Sequence, residues 1–429
     1  MPKNFTKYYE AVEYLESIPI MSKADYFTKK SGRSLFLKRF EYFLNLIGNP
    51  HRQMRYFHIS GSSGKGSVAN MVQSILIEAK YKTGLYTSPY CTTSIEKIKI
   101  DNLFIDPEEF AEIVKKLKSK IEYAHKNSPY GRPSYFEIFT AIAFLYFKKA
   151  QCEYVVLEVG LGGSFDATNI IPFADITIIN LIDFDHVNIL GNKLTTIARE
   201  KSAIIKPRTE VFTTSKNNKD VLNIFRKVCL KNKVKLNIIK PPVRPYQLPV
   251  LGIHQQENAE LAAKACQEIG VKKNQIKAGL KKIKLPCRFE VVKKNPTVII
   301  DGAHNFSKVD STVTTLKKLT YKKLYLIIAL TRDRDPKKIF KTLIPLADYI
   351  VCTKFKSTDR KPLAPKDLAK AIKNKNDVIV DSDSTKALTN VLSRVRKDDV
   401  VLVTGSLYLA GELRKKYYKE ELILKKRKI

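Results

Sequence analysis

The run Gly61-Ser62-Ser63-Gly64-Lys65-Gly66-Ser67 restricts what this chain can fold into more than any other feature. Apolar β-formers at 56–59 lead into it, and residues 67–79 that follow place Val68, Met71, Ile75 and Ile77 at helical spacing. A strand, a glycine-rich turn with one lysine and then a helix point backbone N–H groups and a positive helix end at phosphate. Lys65 supplies a point charge for the outer phosphates of a nucleotide, and Ser67 a hydroxyl for phosphate or Mg²⁺. The strict Walker spacing would need glycine where Ile59 stands, and Gly66 follows the lysine, so this is a shortened variant of an ATP-binding loop.

Short β-rich runs alternate with longer amphipathic stretches along all 429 residues, which is the pattern of parallel sheets covered by helices. The expected fold class is α/β: an N-terminal P-loop ATPase-like domain with a parallel sheet, and a smaller C-terminal doubly wound Rossmann-like domain. Further strands are predicted at 83–86, 154–157 and 176–180, then at 298–300, 324–328, 349–352, 378–380 and 400–403. Helices are predicted from about His254 and at 310–319, 336–346, 365–372 and 385–395. The proline-rich passage at 241–249 reads as a loop, because each ring removes a donor and fixes φ. A second break at Pro286 suggests domains spanning 1–285 and 286–429. A chain this long exceeds one hydrophobic core.

The six cysteines are scattered without C-x-x-C spacing, so they read as ordinary thiols rather than a zinc site or a disulfide framework. No leader pattern and no apolar run of membrane-spanning length occurs, which predicts a soluble, cytoplasmic protein. The formal net charge of +35 raises a rival from another class, a basic nucleic-acid-binding protein with a regulatory ATP site. Against specific nucleic-acid binding, the lysines are spread over nearly every segment and no zinc-finger or RNP-like motif accompanies them.

Glu158 ends an apolar strand, where its carboxylate would emerge at the carboxyl edge of a parallel sheet beside the phosphate loop. Alone it would read as a surface charge. The Gly160-Leu161-Gly162-Gly163 run behind it, which lets another group approach the backbone, favours a site carboxylate suited to Mg²⁺. His186, taken by itself, reads as a hydrogen-bonded core histidine, and Lys201 as a solvated helix residue. Arg288 stands at the break after Pro286, where a forked guanidinium could reach nucleotide phosphates.

Taken in order, these residues resemble the folylpolyglutamate synthase and dihydrofolate synthase family within the muramyl-ligase superfamily of ATP-dependent amide ligases. The resemblance runs from the phosphate loop through Gly84-Leu85-Tyr86-Thr87-Ser88-Pro89, Glu158 to Gly163 and Asp166-Ala167-Thr168-Asn169. It continues with Asp185-His186, Leu190-Gly191, Glu200-Lys201, His254-Gln255, Asn258-Ala259, Arg288-Phe289-Glu290, Asp301-Gly302-Ala303-His304-Asn305 and Thr404-Gly405-Ser406-Leu407-Tyr408. It implies Ser88, Glu158 and His186 as metal contacts with Ser67, two Mg²⁺ ions, and a carbamylated Lys201 whose added anion binds metal or orients substrate. It further implies Asn258, Asp301 and His304 on the nucleotide side, Ser406 near the incoming amino acid, and Glu137 beside metal and folate. A helix cap is the competing reading of Ser406.

The reaction so implied joins the amino group of L-glutamate to the carboxylate of dihydropteroate or tetrahydrofolate, with ATP first converting that carboxylate to an acyl phosphate. Another carboxylate–amino acid ligation of the muramyl-ligase type is the near alternative. Such chemistry rests on positioning and charge neutralisation, and no Ser-His-Asp or Cys-His set is assembled for nucleophilic attack. Family members are usually monomers. The chain departs from the family at Tyr90, where histidine is common, at Ser164-Phe165, where arginine is common, and at Phe306, where proline is usual. These departures touch the pterin and glutamate contacts and leave the ATP apparatus intact.

Overall fold

The computed structural model describes residues 5–19, 30–185, 187–357, 360–372 and 378–429. The described residues build two sheets. The first has eight strands in the order β4-β3-β2-β5-β1-β6-β7-β8. They are β1 (Arg55–Ser60), β2 (Thr83–Tyr86), β3 (Ile98–Ile100), β4 (Leu103–Phe104), β5 (Tyr154–Glu158), β6 (Ile176–Ile179), β7 (Glu210–Thr214) and β8 (Leu236–Ile239). All neighbours pair in parallel except β2 with β3 and β3 with β4. Strand β1 is buried on both faces from Tyr56 to Ser60, as a parallel sheet requires when helices cover both sides.

The second sheet has the order β13-β12-β11-β14-β10-β9, with β9 (Glu290–Lys293), β10 (Thr297–Ile300), β11 (Leu324–Ile328), β12 (Tyr349–Cys352), β13 (Val378–Val380) and β14 (Val400–Thr404). It is parallel except for β9, which runs antiparallel to β10 at the edge. Both sheets are parallel-dominated, the α/β class read from the sequence.

The helix Lys65–Glu78 follows the glycine loop and packs Val68, Met71, Val72, Ile75 and Leu76 into a core shared with the helix Ile253–Glu268. Ile77, counted on the core face from its spacing, is only half-buried and lines a cavity. The helix expected over 336–346 is interrupted: an α-helix covers Pro336–Ile339 and a 3₁₀ turn covers Ile344–Leu346. Pro345 explains the break, since it lacks an N–H and its ring would clash with the carbonyl four residues earlier. The passage at 241–249 is irregular, as its prolines require.

The expected boundary at 285/286 falls between the helix Lys273–Lys281 and β9. The chain then crosses back. Its last helix, Glu420–Lys426, buries Ile423 and Leu424 in the core of the first sheet, and Arg427 Nε donates to Phe104 O at 2.9 Å. Two further contacts tie the halves: Arg334 Nη2 lies 3.5 Å from Asp185 Oδ1, and Arg414 Nη1 donates to Thr92 Oγ1 at 2.9 Å. Arg414 is fully buried and also grips Glu290 through two bonds of 2.7 and 2.9 Å.

Candidate active site

The register that pairs Ile59 with Glu158 and Ser60 with Ile179 puts the loop after β1 at the carboxyl edge of the first sheet, between the ends of β5 and β6. This is the crevice where ligands bind in open α/β sheets. Gly64 has φ +77° and precedes the helix Lys65–Glu78 without any side chain to cap it. The first N–H groups of that helix have no carbonyl ahead of them, so they remain available to an anion. A Cβ at Gly64 would lie 2.3 Å from Asn180 Nδ2 and 2.6 Å from Asn258 Oδ1, and one at Gly66 would lie 3.3 Å from Glu158 Oε2.

The loop is held from behind. Ser62 donates its N–H to Leu181 O at 2.8 Å and its hydroxyl to Asp183 O at 2.8 Å, while Lys65 Nζ rests on Gly61 O at 3.1 Å. Ser63 Oγ is buried with no hydrogen-bond partner among the described residues, an orphan hydroxyl in a cradle shaped for phosphate oxygens.

A cavity of about 160 Å³ opens over this loop, and the second half of the chain completes it. Ser62 to Ser67, Glu158, Asn180 and Asn258 line it from the first half, and Arg288, Asp301 and Lys308 from the second. Asn180 Nδ2 donates to Asn258 Oδ1 at 2.8 Å, and Asn258 Nδ2 donates to Gln255 Oε1 at 3.1 Å, so both amides are fixed. Asp301 follows β10, is buried, and accepts from Thr312 Oγ1. His304 stands behind the wall: its Nδ1 meets Gly302 O at 2.8 Å and its Nε2 meets Lys308 Nζ at 3.1 Å. Burial and the neighbouring Lys308 hold His304 well below the usual histidine range, so the neutral ring donates from Nδ1 and accepts at Nε2.

Glu158 is buried, and Ser88 N–H donates to its Oε2 at 3.2 Å. Burial pushes its carboxyl pKa up, while Lys65, the Ser88 N–H, Arg288 and Lys308 pull it down. Lys201 is 2 % exposed, not solvated as its helical context suggested. Burial, with the nearby charge of Lys65, lowers it to about 7 against the opposing pull of Asp185, Asp166 and Glu200. His186 lies outside the described residues. Among the described residues no three or more His, Cys, Asp and Glu side chains gather as a metal cluster. One carboxylate with the hydroxyls of Ser67 and Ser88 nevertheless suits Mg²⁺, which keeps waters and takes its remaining oxygens from substrate phosphates.

A second cavity, of about 280 Å³, runs along the helix Lys65–Glu78 from Gly66 and Ser67 past Asn70 and Ser74 to Ile77. Ser88, Tyr90, Lys99 and the segment Lys282 to Pro286 form its other walls. Gly66, Ser67, Glu158 and Arg288 line both cavities, so the two meet at that point.

Among the candidates from the sequence, Gly61, Glu137, Lys201, His304 and Ser406 line neither cavity, and the side chains of Glu137 and Ser406 are engaged elsewhere. The carboxylate of Glu137 is taken up by Arg39, with Nε–Oε2 and Nη2–Oε1 distances of 2.9 Å each, and by Ser134 N–H at 2.7 Å, where it closes a capping box on the helix Tyr135–Lys149. Ser406 caps the helix Leu407–Arg414, accepting from Tyr408 N–H at 3.1 Å. Sequence reasoning missed Asn180, Lys99 and Lys308. For Lys308 a signal existed, because it stands in the first turn of the helix Phe306–Leu316, directly after the Asp301 to Asn305 motif.

Among the described residues no helix is long and apolar enough to cross a membrane. All six cysteines are free.

Comparison with known proteins reaches the same family as the ordered motifs. The model of the Mur ligase glutamate ligase domain matches residues 287–407. The dihydrofolate synthase/folylpolyglutamate synthase of Bacillus subtilis is 31% identical, with 90% of this chain and 96% of that protein covered. The folylpolyglutamate synthase of Lacticaseibacillus casei is 27% identical over 95% of this chain and 98% of its own length. Among solved structures, the folylpolyglutamate synthase of Thermotoga maritima superimposes with a TM-score of 0.80 at 30% identity, covering 96% of this chain and 97% of that one. The ADP complex of the Mycobacterium tuberculosis enzyme shares the fold, with a TM-score of 0.87 at 24% identity, covering 97% of this chain and 99% of that one. The chain belongs to the dihydrofolate synthase/folylpolyglutamate synthase family of ATP-dependent ligases.

Proposed function

We propose that this protein joins the amino group of L-glutamate to the carboxylate of dihydropteroate, tetrahydrofolate or both, through an acyl phosphate, releasing ADP and phosphate. The observation that carries this reading is the meeting of two cavities at Gly66, Ser67, Glu158 and Arg288. The first has the phosphate cradle; the second offers room for an acceptor. An acceptor carboxylate and a γ-phosphoryl group would face each other at the junction.

Each residue then has a task. The loop N–H groups, Ser63 and Lys65 hold the phosphates, and Arg288 and Lys308 bring positive charge from the other half to the phosphoryl group as it transfers. Asn258 and Asp301 orient the nucleoside end, where Asp301 can accept from ribose hydroxyls. Ser67, Ser88 and Glu158, with His186 and a carbamylated Lys201, would hold one or two Mg²⁺ ions. When bound, that ion neutralises phosphate charge. Ser406, at the N-cap of the helix Leu407–Arg414, is the candidate contact for the incoming glutamate, and Glu137 remains a candidate only as a support behind the acceptor wall.

Lys201 is suited to carbamylation. With an amine lowered to about 7, a large neutral fraction exists near pH 7.5 to add to CO₂, forming an N–C bond and losing one proton. A ¹³C carbamate resonance under labelled bicarbonate, absent in Lys201→Ala, is the expected result. Residues 1–285 and 286–429 are the two domains in this reading, each with its own sheet, in a cytoplasmic monomer.

The test is ADP release by the purified protein with ATP, Mg²⁺ and L-glutamate, and with dihydropteroate, tetrahydrofolate or a muramyl peptide as acceptor. Stimulation by either pteridine is expected. Stimulation by the muramyl peptide alone would move the protein to the cell-wall branch of the superfamily.

A further inference from the structure

The acceptor cavity contains a cation that the reaction as described does not use. Lys99 projects from β3 into the wall, and its one hydrogen bond is to Asn70 Oδ1 at 3.3 Å. No carboxylate among the described residues pairs with it. The two acidic side chains in the lining are engaged elsewhere: Glu96 accepts from Cys91 N–H at 2.9 Å and Thr92 N–H at 3.2 Å, and Glu158 sits at the junction on Ser88 N–H, while Ile429 O, also in the lining, accepts from Lys284 Nζ at 2.5 Å. Burial, with the like charge of Lys284, lowers Lys99 to about 8. A half-buried ammonium beside a like charge is costly unless an anion joins it.

The position of Lys99 selects that anion. Asn70 Nδ2 donates to Gly66 O at 2.8 Å, so Asn70 and the lysine it carries stand one helical turn, roughly 5 Å of axis, from the junction. An acceptor that already ends in glutamate presents two carboxylates. The γ-carboxylate reacts, and the α-carboxylate lies two methylenes and a Cα away, on the order of the same 5 Å. Pteroate acceptors have a single carboxylate, the reacting one, and nothing to offer Lys99.

Resting on the ligase reading above, we propose that Lys99, positioned by Asn70, is the subsite for the α-carboxylate of a terminal glutamyl residue. The cavity thereby favours glutamylated folates over unglutamylated pteroates.

The test compares KM for tetrahydrofolate monoglutamate and for dihydropteroate in the wild-type protein, Lys99→Met and Lys99→Arg. Methionine keeps the length and removes the charge, so the fold is retained and Tm should not fall. KM for the glutamylated acceptor should rise roughly tenfold to a hundredfold in Lys99→Met, the range of a charge-assisted hydrogen bond. That rise should exceed the change for dihydropteroate by about tenfold or more, with kcat moved far less than KM and with Lys99→Arg recovering most of the loss. Equal changes for both acceptors, or none, would overturn the proposal, as would a wild-type protein that accepts dihydropteroate and no glutamylated acceptor. If neither pteridine is turned over, the ligase reading fails separately. Calorimetric titration of γ-linked triglutamate then decides the subsite: binding weakened in Lys99→Met upholds it, and no binding removes it.

Discussion

The nucleotide cavity and the acceptor cavity share four residues but are built in opposite ways. The first is built around one contiguous backbone loop, in which Gly64 leaves no room for a Cβ, and is closed by side chains from both halves. The second is made of side chains drawn from a helix face, an antiparallel hairpin and the linker before β9. Backbone cradles recognise what every nucleotide has in common. Side-chain walls can change one residue at a time, so they are where a family with one chemistry can vary its acceptor.

Breaking that comparison starts at Lys65. Lys65→Ala should lower kcat for ADP release roughly a hundredfold to a thousandfold, the scale of losing one preorganised charge at a transferring phosphoryl group. Acceptor affinity measured by fluorescence without nucleotide should shift by less than about threefold. A parallel loss of acceptor affinity would mean the two cavities are one site. A smaller effect is expected at Gly64. Gly64→Ala places a Cβ against Asn180 and Asn258 at φ +77°, which should weaken ADP binding in calorimetry on the order of tenfold to a hundredfold. Unchanged ADP affinity would show that the loop opens freely and that its shape is not what binds.

The same contrast governs what can be read from the sequence. The cradle's residues are consecutive, and strand, loop and helix announce themselves by period and glycine, so the shape around Gly61 to Ser67 is legible in the order of the residues themselves. Strands β2, β11, β12 and β13 fall at the predicted bounds, and for β11 and β12 the reason is that buried parallel strands leave continuous apolar stretches. Lys99 is not legible in that way. It sits on a three-residue strand whose pairing depends on a two-residue turn at Asp101-Asn102, with Asp101 at φ +50°, and a hairpin that short has too few residues to display alternation. Lys201 escapes sequence reasoning for a different reason: on its short helix, nothing local distinguishes a lysine facing solvent from one folded under Gly163, whose missing Cβ would meet Glu200 O at 2.5 Å. Glu137 shows the converse. Its motif context suggests a ligand contact, but a capping box and Arg39 consume both oxygens.

The smallest expected effect concerns Lys308, whose two consequences carry opposite signs. Burial, chiefly, with Lys65, Arg288 and Arg334 adding to it against the pull of Asp185, lowers this lysine from 10.5 to about 8. In the unliganded protein the unfolded chain therefore binds more protons than the folded one between about pH 8 and 10.5, so the lysine's burial penalty is full below pH 8 and fades as pH rises. Lys308→Met should accordingly be more stable than wild type at pH 7, by on the order of 1 kcal/mol after solvent screening, and should lose that advantage toward pH 10 in denaturant titrations. Nucleotide affinity should run the other way. The ammonium that attracts phosphate is present below pH 8 and lost above it, so wild-type ADP affinity should fall severalfold from pH 7 to 9 while Lys308→Met follows a flatter course. If both proteins show the same pH profile, Lys308 serves only to hold His304 against the wall, and the second half's contribution to the nucleotide cavity reduces to Arg288 and Asp301.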